Sequence, residues 1–427
     1  MWDFETDPEF QAKLDWADAF VRDEVEPLDL VLGSQYDVGN PDNVRLVRPL
    51  QERVKAQGLW ACHLGPELGG QGYGQLRLAL LNEILGRSAF APVVFGTQAP
   101  DTGNAEILAH YGTPEQKARY LQPLLEGRIV SCFSMTEPQG GSDPAVFRTR
   151  ARIVDGMWEI SGEKWFSSNA RWADFLLVMA ITEPEEPVHS RMSMFIVPGD
   201  TPGIEIVRNV GYLGDREPSH AYIRYHRVRV PLDHMLGGRG QGFTVAQTRL
   251  GGGRIHHAMR TVGEARKAFD MMCQRAVSRF TQGEALANKQ MVQEKIADSW
   301  IELEQFRLLV LRTAWKIDKE KDYAKVRGDI SAIKAAMPRV MRDIVIRALE
   351  VHGSLGLSSE MPFMRQLAAS FVVQFSDGPT EVHKVQLARQ ILRAYAPSTD
   401  TFPEYDLIHA RERALVKLGG AAARAPT

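Results

Sequence analysis

The stretch at residues 374–384, QFSDGPTEVHK, places one carboxylate, that of Asp377, between an apolar run and a Gly-Pro turn. An aspartate at the start of a helix commonly caps it, because the side-chain oxygen accepts a backbone N–H. A carboxylate that is held against a carbon atom can instead remove its proton. The local sequence favours the cap, and the base is the alternative that the rest of the chain has to support.

A second cluster of chemistry-bearing residues lies in CFSMTEPQGGSD, residues 132–143. Thr136 supplies a hydroxyl, while the glycines and Ser142 allow a ligand to approach the backbone closely. EKWFSSNARWADF follows after one hairpin and puts Trp165 near Ser167. Each motif alone fits a domain-joining turn or a buried aromatic residue, but their combination indicates a ligand site.

The elements that position these residues are predicted to follow the order helices, strands, helices. In TPEQKARYLQPLLEG, Thr113 and Gln116 form a capping box at the start of a helix. Short runs punctuated by glycine and proline predict antiparallel strands, with VDG at 154–156 as a hairpin turn. Helical periodicity then returns, with Pro338 inside one helix, where we expect a kink. The predicted units are an N-terminal helical domain (1–130), a middle β domain (131–235), a C-terminal helical bundle (236–395) and an extension (396–427) that is expected to fray.

The composition is that of an ordinary globular protein, with 427 residues, 44% hydrophobic, 24% charged and a net charge of −2. The length predicts two or three packed units, and the charge gives no general attraction to nucleic acid or acidic membranes. Cys62, Cys132 and Cys273 are far apart, so we expect reduced thiols and no metal site. No targeting segment is visible, and no apolar run is long enough to span a bilayer, which predicts a cytoplasmic protein.

Several ordered segments together resemble the acyl-CoA dehydrogenase family over residues 5–395. They are CFSMTEPQGGSD, GEKWFSSNARWADF, VRVPLDHMLGGRGQGF, SRFTQGEALANKQMVQEKIAD, ALEVHGSLGLSSEMPFMR and SDGPTEVHKVQLAR. The resemblance implies a mainly α fold with a β middle domain: an N-terminal helical domain, an antiparallel β domain and a C-terminal four-helix bundle. It also implies FAD bound between the domains, with contacts shared across subunits of a homodimer or homotetramer.

Residue by residue, the resemblance carries over a set of flavin contacts. Thr136 is expected near the reactive edge of the flavin, and Ser167 stands where the family has threonine, so a hydroxyl is kept. Gln282 replaces a common phenylalanine, and Glu350 replaces a glutamine, so that near Gly353 only a close backbone approach carries over. The expected FAD contacts are Phe133, Met135, Thr136, Gly141, Ser142, Trp165, Ser167, Glu350, Gly353, Pro379, Thr380 and Glu381, together with Arg279, Thr281, Gln282 and Gln290 towards a neighbouring subunit.

The resemblance also assigns chemistry to Asp377. In the family's reaction a carboxylate takes the α proton of an acyl thioester, and the β hydrogen leaves as hydride to flavin N5. The usual base is a glutamate before Gly-Thr, and here Asp377 stands at that position, as in a branch that carries Asp-Gly-Pro. Other members place the base one residue before the arginine that matches Arg254, but that residue is Gly253 here. Asp377 is therefore the expected base, and Ser142 and Arg254 are the expected contacts to acyl-CoA.

The sequence thus predicts an FAD-dependent acyl-CoA dehydrogenase that passes electrons to an electron-transfer flavoprotein. A nitroalkane oxidase-like enzyme, in which an aspartate base removes a carbon-bound proton, is the alternative in the same fold. A DNA-binding flavoprotein is the alternative of another class, although the mixed charge of the extension argues against a phosphate-binding surface. His256 and His257 are expected to be packed or solvated rather than catalytic. The charged residues of the extension are Arg411, Arg413, Lys417 and Arg424 with Asp400, Glu404, Asp406 and Glu412.

Overall fold

The computed structural model describes residues 6–68, 70–211, 218–399, 401–403 and 405–419. The N-terminal part of the chain is a set of helices. The capping box at Thr113 and Gln116 is confirmed, and the helical stretch that it begins continues through a π-helical turn to Leu125. Asp400, Glu404, Arg424 and the last residues of the extension, where fraying is expected, lie outside the described residues. The helices are α1 (Pro8–Phe20), α2 (Leu28–Val31), α3 (Pro41–Ala56), α4 (Gly74–Leu85), α5 (Ala91–Val94), α6 (Asp101–Tyr111), α7 (Pro114–Gln116) and α8 (Gln122–Leu125).

The middle of the chain forms one sheet of β1 (Ser131–Ser134), β2 (Arg150–Val154), β3 (Met157–Ser168), β4 (Phe175–Ile181), β5 (Met192–Pro198), β6 (Ile204–Val210), β7 (His220–Val230) and β8 (Met235–Leu236). Its order is β6-β7-β3-β1-β4-β5-β8, with β2 beside β3 and β4. The predicted hairpin is present, since Asp155 and Gly156 between β2 and β3 both have positive φ. The prediction of antiparallel strands holds for most neighbours, but β1 pairs in parallel with β4, because the β2–β3 hairpin intervenes between them along the chain.

The C-terminal part is again helical. Pro338 lies inside one of its long helices, which remains a single helix on both sides of the proline. The elements are α9 (Gly242–Ser278), a small hairpin of β9 (Phe280–Thr281) and β10 (Glu284–Ala285), α10 (Gln290–Glu320), α11 (Arg327–His352), α12 (Ser354–Leu357), α13 (Phe363–Phe375), α14 (Thr380–Leu392) and α15 (Leu407–Lys417).

The long helix α9 connects the three parts because its apolar side chains belong to two cores. Ile255 and Met259 pack with apolar residues of α1–α5, α10 and α11. Val245 and Ala246 pack with residues of α6, α8, β4 and β5. Because α9 is buried against both cores, its polar face is held in place. The mainly helical architecture with a β middle domain confirms the predicted fold class. Within the part of the chain that the structure describes, no helix combines the length and apolar character needed to cross a membrane.

Candidate active site

Three consecutive glycines, Gly251–Gly253, lie in the interior of α9, where each weakens a helix by about 1 kcal/mol relative to alanine. Without their side chains, groups from other elements come close to the helix backbone. A Cβ on Gly252 would lie 2.4 Å from Oε2 of Glu106, and one on Gly253 would lie 3.0 Å from Oδ2 of Asp377. Two carboxylates therefore sit against consecutive positions of α9.

Asp377 is fixed through its main chain and does not cap a helix. Its φ of 56° lies in the left-handed region, which Asp and Asn tolerate better than most residues. Its carbonyl oxygen accepts hydrogen bonds from Nε of Arg254 at 3.0 Å and from Nε2 of His383 at 3.3 Å. The N-cap of α14 is Pro379, two residues later, and no side-chain capping bond is formed. The cap that the local sequence favours is therefore wrong, because the Gly-Pro step displaces the helix start beyond Asp377.

The Asp377 carboxylate is largely buried and lies near several groups that can carry positive charge. Its side chain is 15% exposed, and Oδ2 is 3.6 Å from Nε2 of His257. Burial raises the pKa of Asp377, but the nearby groups together lower it below its usual value. These groups are His257, which contributes only when it is protonated, and the cations Arg249, Arg254 and Lys334. The carboxylate is therefore ionised at neutral pH and able to accept a proton.

Two of these cations, one fully buried and the other partly buried, lie near the carboxylate. Lys334 of α11 is fully buried and donates a hydrogen bond to the carbonyl of Val373. Burial lowers the pKa of Lys334 to about 8, although Asp377 raises it. Burial also lowers the pKa of Arg254, and Asp377 again opposes the effect. The negative charge of Asp377 thus stabilises the two cations that hold its surroundings together.

Glu106 of α6 is a second carboxylate that lies against α9, and it was not predicted from the sequence. Its side chain is 8% exposed. Burial raises its pKa to about 8, although a hydrogen bond from Tyr323 and the charge of Arg249 lower it. At neutral pH Glu106 is largely protonated while Asp377 is ionised. The glycine triplet was the signal that could have found it, because successive glycines inside a helix indicate close approach by other groups.

The raised pKa of Glu106 predicts a pH dependence of stability. The folded state keeps the proton up to about pH 8, whereas the unfolded chain releases it near 4.5. Between these values the folded state binds the extra proton, so the free energy of unfolding falls as the pH rises. In Glu106→Gln, which stays neutral, the fall between pH 5 and 8 in urea unfolding should be smaller by about 1–3 kcal/mol.

The exposed residue Glu360 provides the matched control for this measurement. Glu360→Gln should retain the pH dependence of the wild type. An unchanged pH dependence in Glu106→Gln would mean that Glu106 is ionised in the folded protein.

Backbone pairing brings the Thr136 loop and Trp165 together. The Trp165 N–H donates to the carbonyl of Thr136 at 2.8 Å. Nζ of the fully buried Lys164 donates to the carbonyl of Met135 at 2.7 Å and to Oε1 of Glu137 at 2.9 Å. The ring of Trp165 remains half-buried. The predicted flavin contacts of the two segments therefore lie next to each other, at the neighbouring central strands β1 and β3.

Arg249 contacts Phe133 of β1 and also influences Asp377. The Arg249 guanidinium carbon lies 3.9 Å from the centre of the Phe133 ring, and its Nε donates to Oδ1 of Asn104 at 3.0 Å. Arg249 is also one of the charges that lower the pKa of Asp377. Arg249 therefore packs on β1 close to the Thr136 loop and also acts electrostatically on Asp377.

Ser167 takes a position that its sequence motif did not predict. It is fully buried, and its hydroxyl pairs with that of Ser134 at 2.9 Å, which in turn pairs with Tyr225 at 2.8 Å. A bulge in the β3–β7 register between Lys164 and Ser167, with Phe166 at a positive φ of 52°, turns the hydroxyl into the sheet. In this arrangement the hydroxyl expected to face the flavin is committed to Ser134. Gly141 and Ser142, by contrast, are exposed.

The contacts predicted towards a neighbouring subunit gather at the β9–β10 hairpin. Thr281, Gln282 and Gln290 line a surface cavity of about 500 Å³, and the exposed Arg279 precedes it at the end of α9. Their guanidinium, hydroxyl and amide groups are donors suited to a phosphate or a nucleotide.

The remaining predicted contacts lie at the ends of α11 and α14. Glu350 pairs with Lys295 at 2.6 Å. Gly353 has a φ of +67° with open space where a Cβ would point. At the start of α14, Oγ1 of Thr380 is buried and has no hydrogen-bond partner among the described residues. Pro379 is partly buried and Glu381 is exposed.

This donor set fits a flavin dinucleotide. The unpartnered hydroxyl of Thr380 stands at a helix N-terminus, a position that favours phosphate. The half-buried Trp165 and the Thr136 loop offer an aromatic face and backbone groups for a flat ring system. No group of three or more His, Cys, Asp or Glu side chains within the described ranges could hold a metal ion. The fold and the site together define the class, a flavin-dependent oxidoreductase with helical domains flanking a β domain.

Comparison with known sequences gives the family. Profiles of the N-terminal, middle and C-terminal domains of acyl-CoA dehydrogenases match residues 7–128, 132–228 and 240–392. The chain belongs to the acyl-CoA dehydrogenase family. This confirms the family, the enzyme class and the FAD cofactor that the sequence predicted.

Individual relatives agree with this assignment. Acyl-CoA dehydrogenase family member 10 of Mus musculus is 40% identical over 82% of this chain and 33% of its own length. The Mycobacterium tuberculosis protein named "Probable acyl-CoA dehydrogenase FadE2" is 42% identical over 81% of this chain and 85% of its own. The structure of an acyl-CoA dehydrogenase homologue from Mycobacterium abscessus is 35% identical, covers 92% of this chain and 100% of its own, and has a TM-score of 0.84. The chain thus spans only 33% of the length of the mouse relative.

Proposed function

We propose that the protein is an FAD-dependent acyl-CoA dehydrogenase that desaturates an acyl-CoA thioester between its α and β carbons. The observation that carries the proposal is the Asp377 carboxylate, which is ionised, 15% exposed and not engaged in helix capping. Its position against Gly253, where some family members have the base, supports the same role. By resemblance to the family, the electrons pass to an electron-transfer flavoprotein.

In this mechanism Asp377 accepts the α proton. Binding of a thioester would expel the remaining water around the carboxylate, and the loss of water raises the pKa of a carboxylate and strengthens it as a base. Negative charge develops on the thioester oxygen as the proton leaves, so donors or positive charge nearby lower the barrier. Arg254, whose Nε holds the carbonyl of Asp377, supplies a positive charge beside the carboxylate. Bound FAD supplies the two-electron acceptor for the hydrogen that leaves the β carbon.

The residues that would hold FAD come from two surfaces. On one, the Thr136 loop, Trp165 and Thr380 supply the backbone groups, the ring and the unpartnered hydroxyl. On the other, Arg279, Thr281, Gln282 and Gln290 offer donors at the β9–β10 hairpin. If this second surface serves the neighbouring subunit, as the resemblance implies, the protein works as a homodimer or homotetramer.

An anaerobic titration of the purified flavoprotein with acyl-CoAs tests the proposal. Short, branched, long and hydroxylated acyl-CoAs would be added in turn while the flavin absorbance is followed. We expect one class to bleach the flavin at stoichiometric concentration. If no thioester bleaches it, but a nitroalkane with dioxygen yields peroxide, the nitroalkane oxidase-like alternative replaces this proposal.

A further inference from the structure

The Asp377 carboxylate lies against one face of α9. Gly253 and His257 are four residues apart, so they lie one above the other on the same side of the helix. Oδ2 is the oxygen nearest to both, 3.0 Å from the position of a Cβ on Gly253 and 3.6 Å from Nε2 of His257. At 3.6 Å, Nε2 and Oδ2 are in contact but just beyond hydrogen-bond distance, and such bonds commonly tighten when substrate binds. Because the two oxygens of a carboxylate diverge, a hydrogen bond that fixes Oδ2 also sets the direction of Oδ1.

The carboxylate must be oriented by such a contact because its side chain is short. Aspartate is one C–C bond, about 1.5 Å, shorter than the glutamate usual at this position. A misplacement of about 1 Å costs about 10²-fold in rate. The contacts of Arg254 and His383 fix the carbonyl oxygen of Asp377 and leave rotation about its χ angles open. A further contact is required to orient the carboxylate itself.

The charge state of His257 suits this task. Burial lowers its pKa to about 4, although Asp377 raises it, so the imidazole is neutral at pH 7. A neutral imidazole can donate its Nε2–H to a carboxylate before and after that carboxylate gains a proton, whereas a charged partner would oppose proton uptake. The groups that face His257 are Arg249, Arg260 and His256 from its own helix, Lys334 from α11 and Asp377 from the turn before α14.

We propose that His257 is a positioning residue, which holds Oδ2 of Asp377 over Gly253 and so aims Oδ1 at the α carbon of the substrate. The inference rests on the proposed function, because it assigns to His257 the alignment of the base in that reaction. The sequence predicted for His257 only a packed or solvated role rather than a catalytic one. His256, its neighbour, is 5% exposed.

Stopped-flow bleaching of the flavin across pH tests this role with His257→Ala and His257→Gln. The alanine variant should bleach about 10–10²-fold more slowly, with an unchanged Kd for acyl-CoA. The midpoint of its pH profile should rise by about 1 pH unit, because loss of a donor disfavours the ionised carboxylate. His257→Gln restores an N–H donor and should recover most of the rate and the original midpoint. His226→Ala, which breaks the exposed 2.6 Å contact between His226 and Glu205, should match the wild type.

Two kinetic outcomes would each overturn the inference. One is a His257→Ala variant as fast as the wild type, and the other is a slow variant with an unmoved pH midpoint and no rescue by glutamine. A measurement that needs no turnover separates this inference from the proposed function. In the NMR spectrum, Asp377→Asn should shift the imidazole resonance of His257 and leave that of His226 in place. An unshifted His257 resonance refutes the contact between His257 and Asp377. A wild-type flavin that no thioester bleaches refutes the proposed function instead.

Discussion

Replacing Asp377 with asparagine should slow the bleaching of the flavin by an acyl-CoA by about 10²–10⁴-fold, the range that a positioned general base contributes. Asparagine has nearly the same shape and tolerates the left-handed φ of 56° at this position. The hydrogen bonds from Arg254 and His383 go to the main-chain carbonyl and remain possible in the variant. The substitution removes the negative charge and, with it, the ability to accept a proton. Anaerobic stopped-flow absorbance with the thioester class that bleaches the wild type gives the rate directly.

The variant needs two controls because Asp377 also stabilises the buried charges of Arg254 and Lys334. The flavin content and the unfolding midpoint of Asp377→Asn show whether the site is intact. Asp377→Glu keeps the charge but lengthens the side chain. The longer side chain has little extra room, because Oδ2 already lies 3.0 Å from the position of a Cβ on Gly253. It should therefore retain partial activity. An asparagine variant within threefold of the wild-type rate would exclude Asp377 as the base.

The sequence was sufficient for the fold and for the identity of the segments that meet at the site. Capping residues, the hairpin turn at 154–156 and the change in hydrophobic period are local signals, and the structure reproduces them. The local sequence could not distinguish the two possible roles of Asp377, a helix cap and a catalytic base. Whether an aspartate caps a helix depends on where that helix begins, and the Gly-Pro step moves the beginning to Pro379. Only the resemblance to a family favoured the base.

The groups that surround the carboxylate could not be predicted, because they arrive from distant parts of the chain. Glu106 comes from α6 and Lys334 from α11, and neither belongs to a motif that the sequence displays. The glycine triplet in α9 is a local signal, but its meaning depends on which side chains approach it. Ser167 shows the same limit at the scale of one residue. A single bulge at Phe166 reverses the face on which the next hydroxyl lies, and no alternation pattern reveals it.

The largest expected effect on stability lies at a buried ion pair behind the Thr136 loop. Lys164 and Glu137 are both almost fully buried, and their side chains meet at 2.9 Å. Glu137 also accepts hydrogen bonds from the backbone N–H groups of Arg148 at 2.6 Å and Thr149 at 3.0 Å. Lys164→Met keeps the length of the side chain but leaves the carboxylate of Glu137 buried without its cation. Such a loss typically costs about 3–5 kcal/mol, which urea unfolding measures.

The same substitution should weaken flavin retention, because Nζ of Lys164 also holds the carbonyl of Met135, next to Thr136. Lys325→Met is the matched control, since Lys325 and Glu320 form an exposed pair at 3.8 Å, and exposed pairs contribute about 0–1 kcal/mol. Adding Glu137→Gln to Lys164→Met removes the unpaired charge and should recover part of the loss, since an amide oxygen can still accept one of the two backbone N–H groups. A Lys164→Met variant as stable as Lys325→Met would mean that Glu137 takes up a proton or reaches solvent. The ion pair would then not be what holds the Thr136 loop against the sheet.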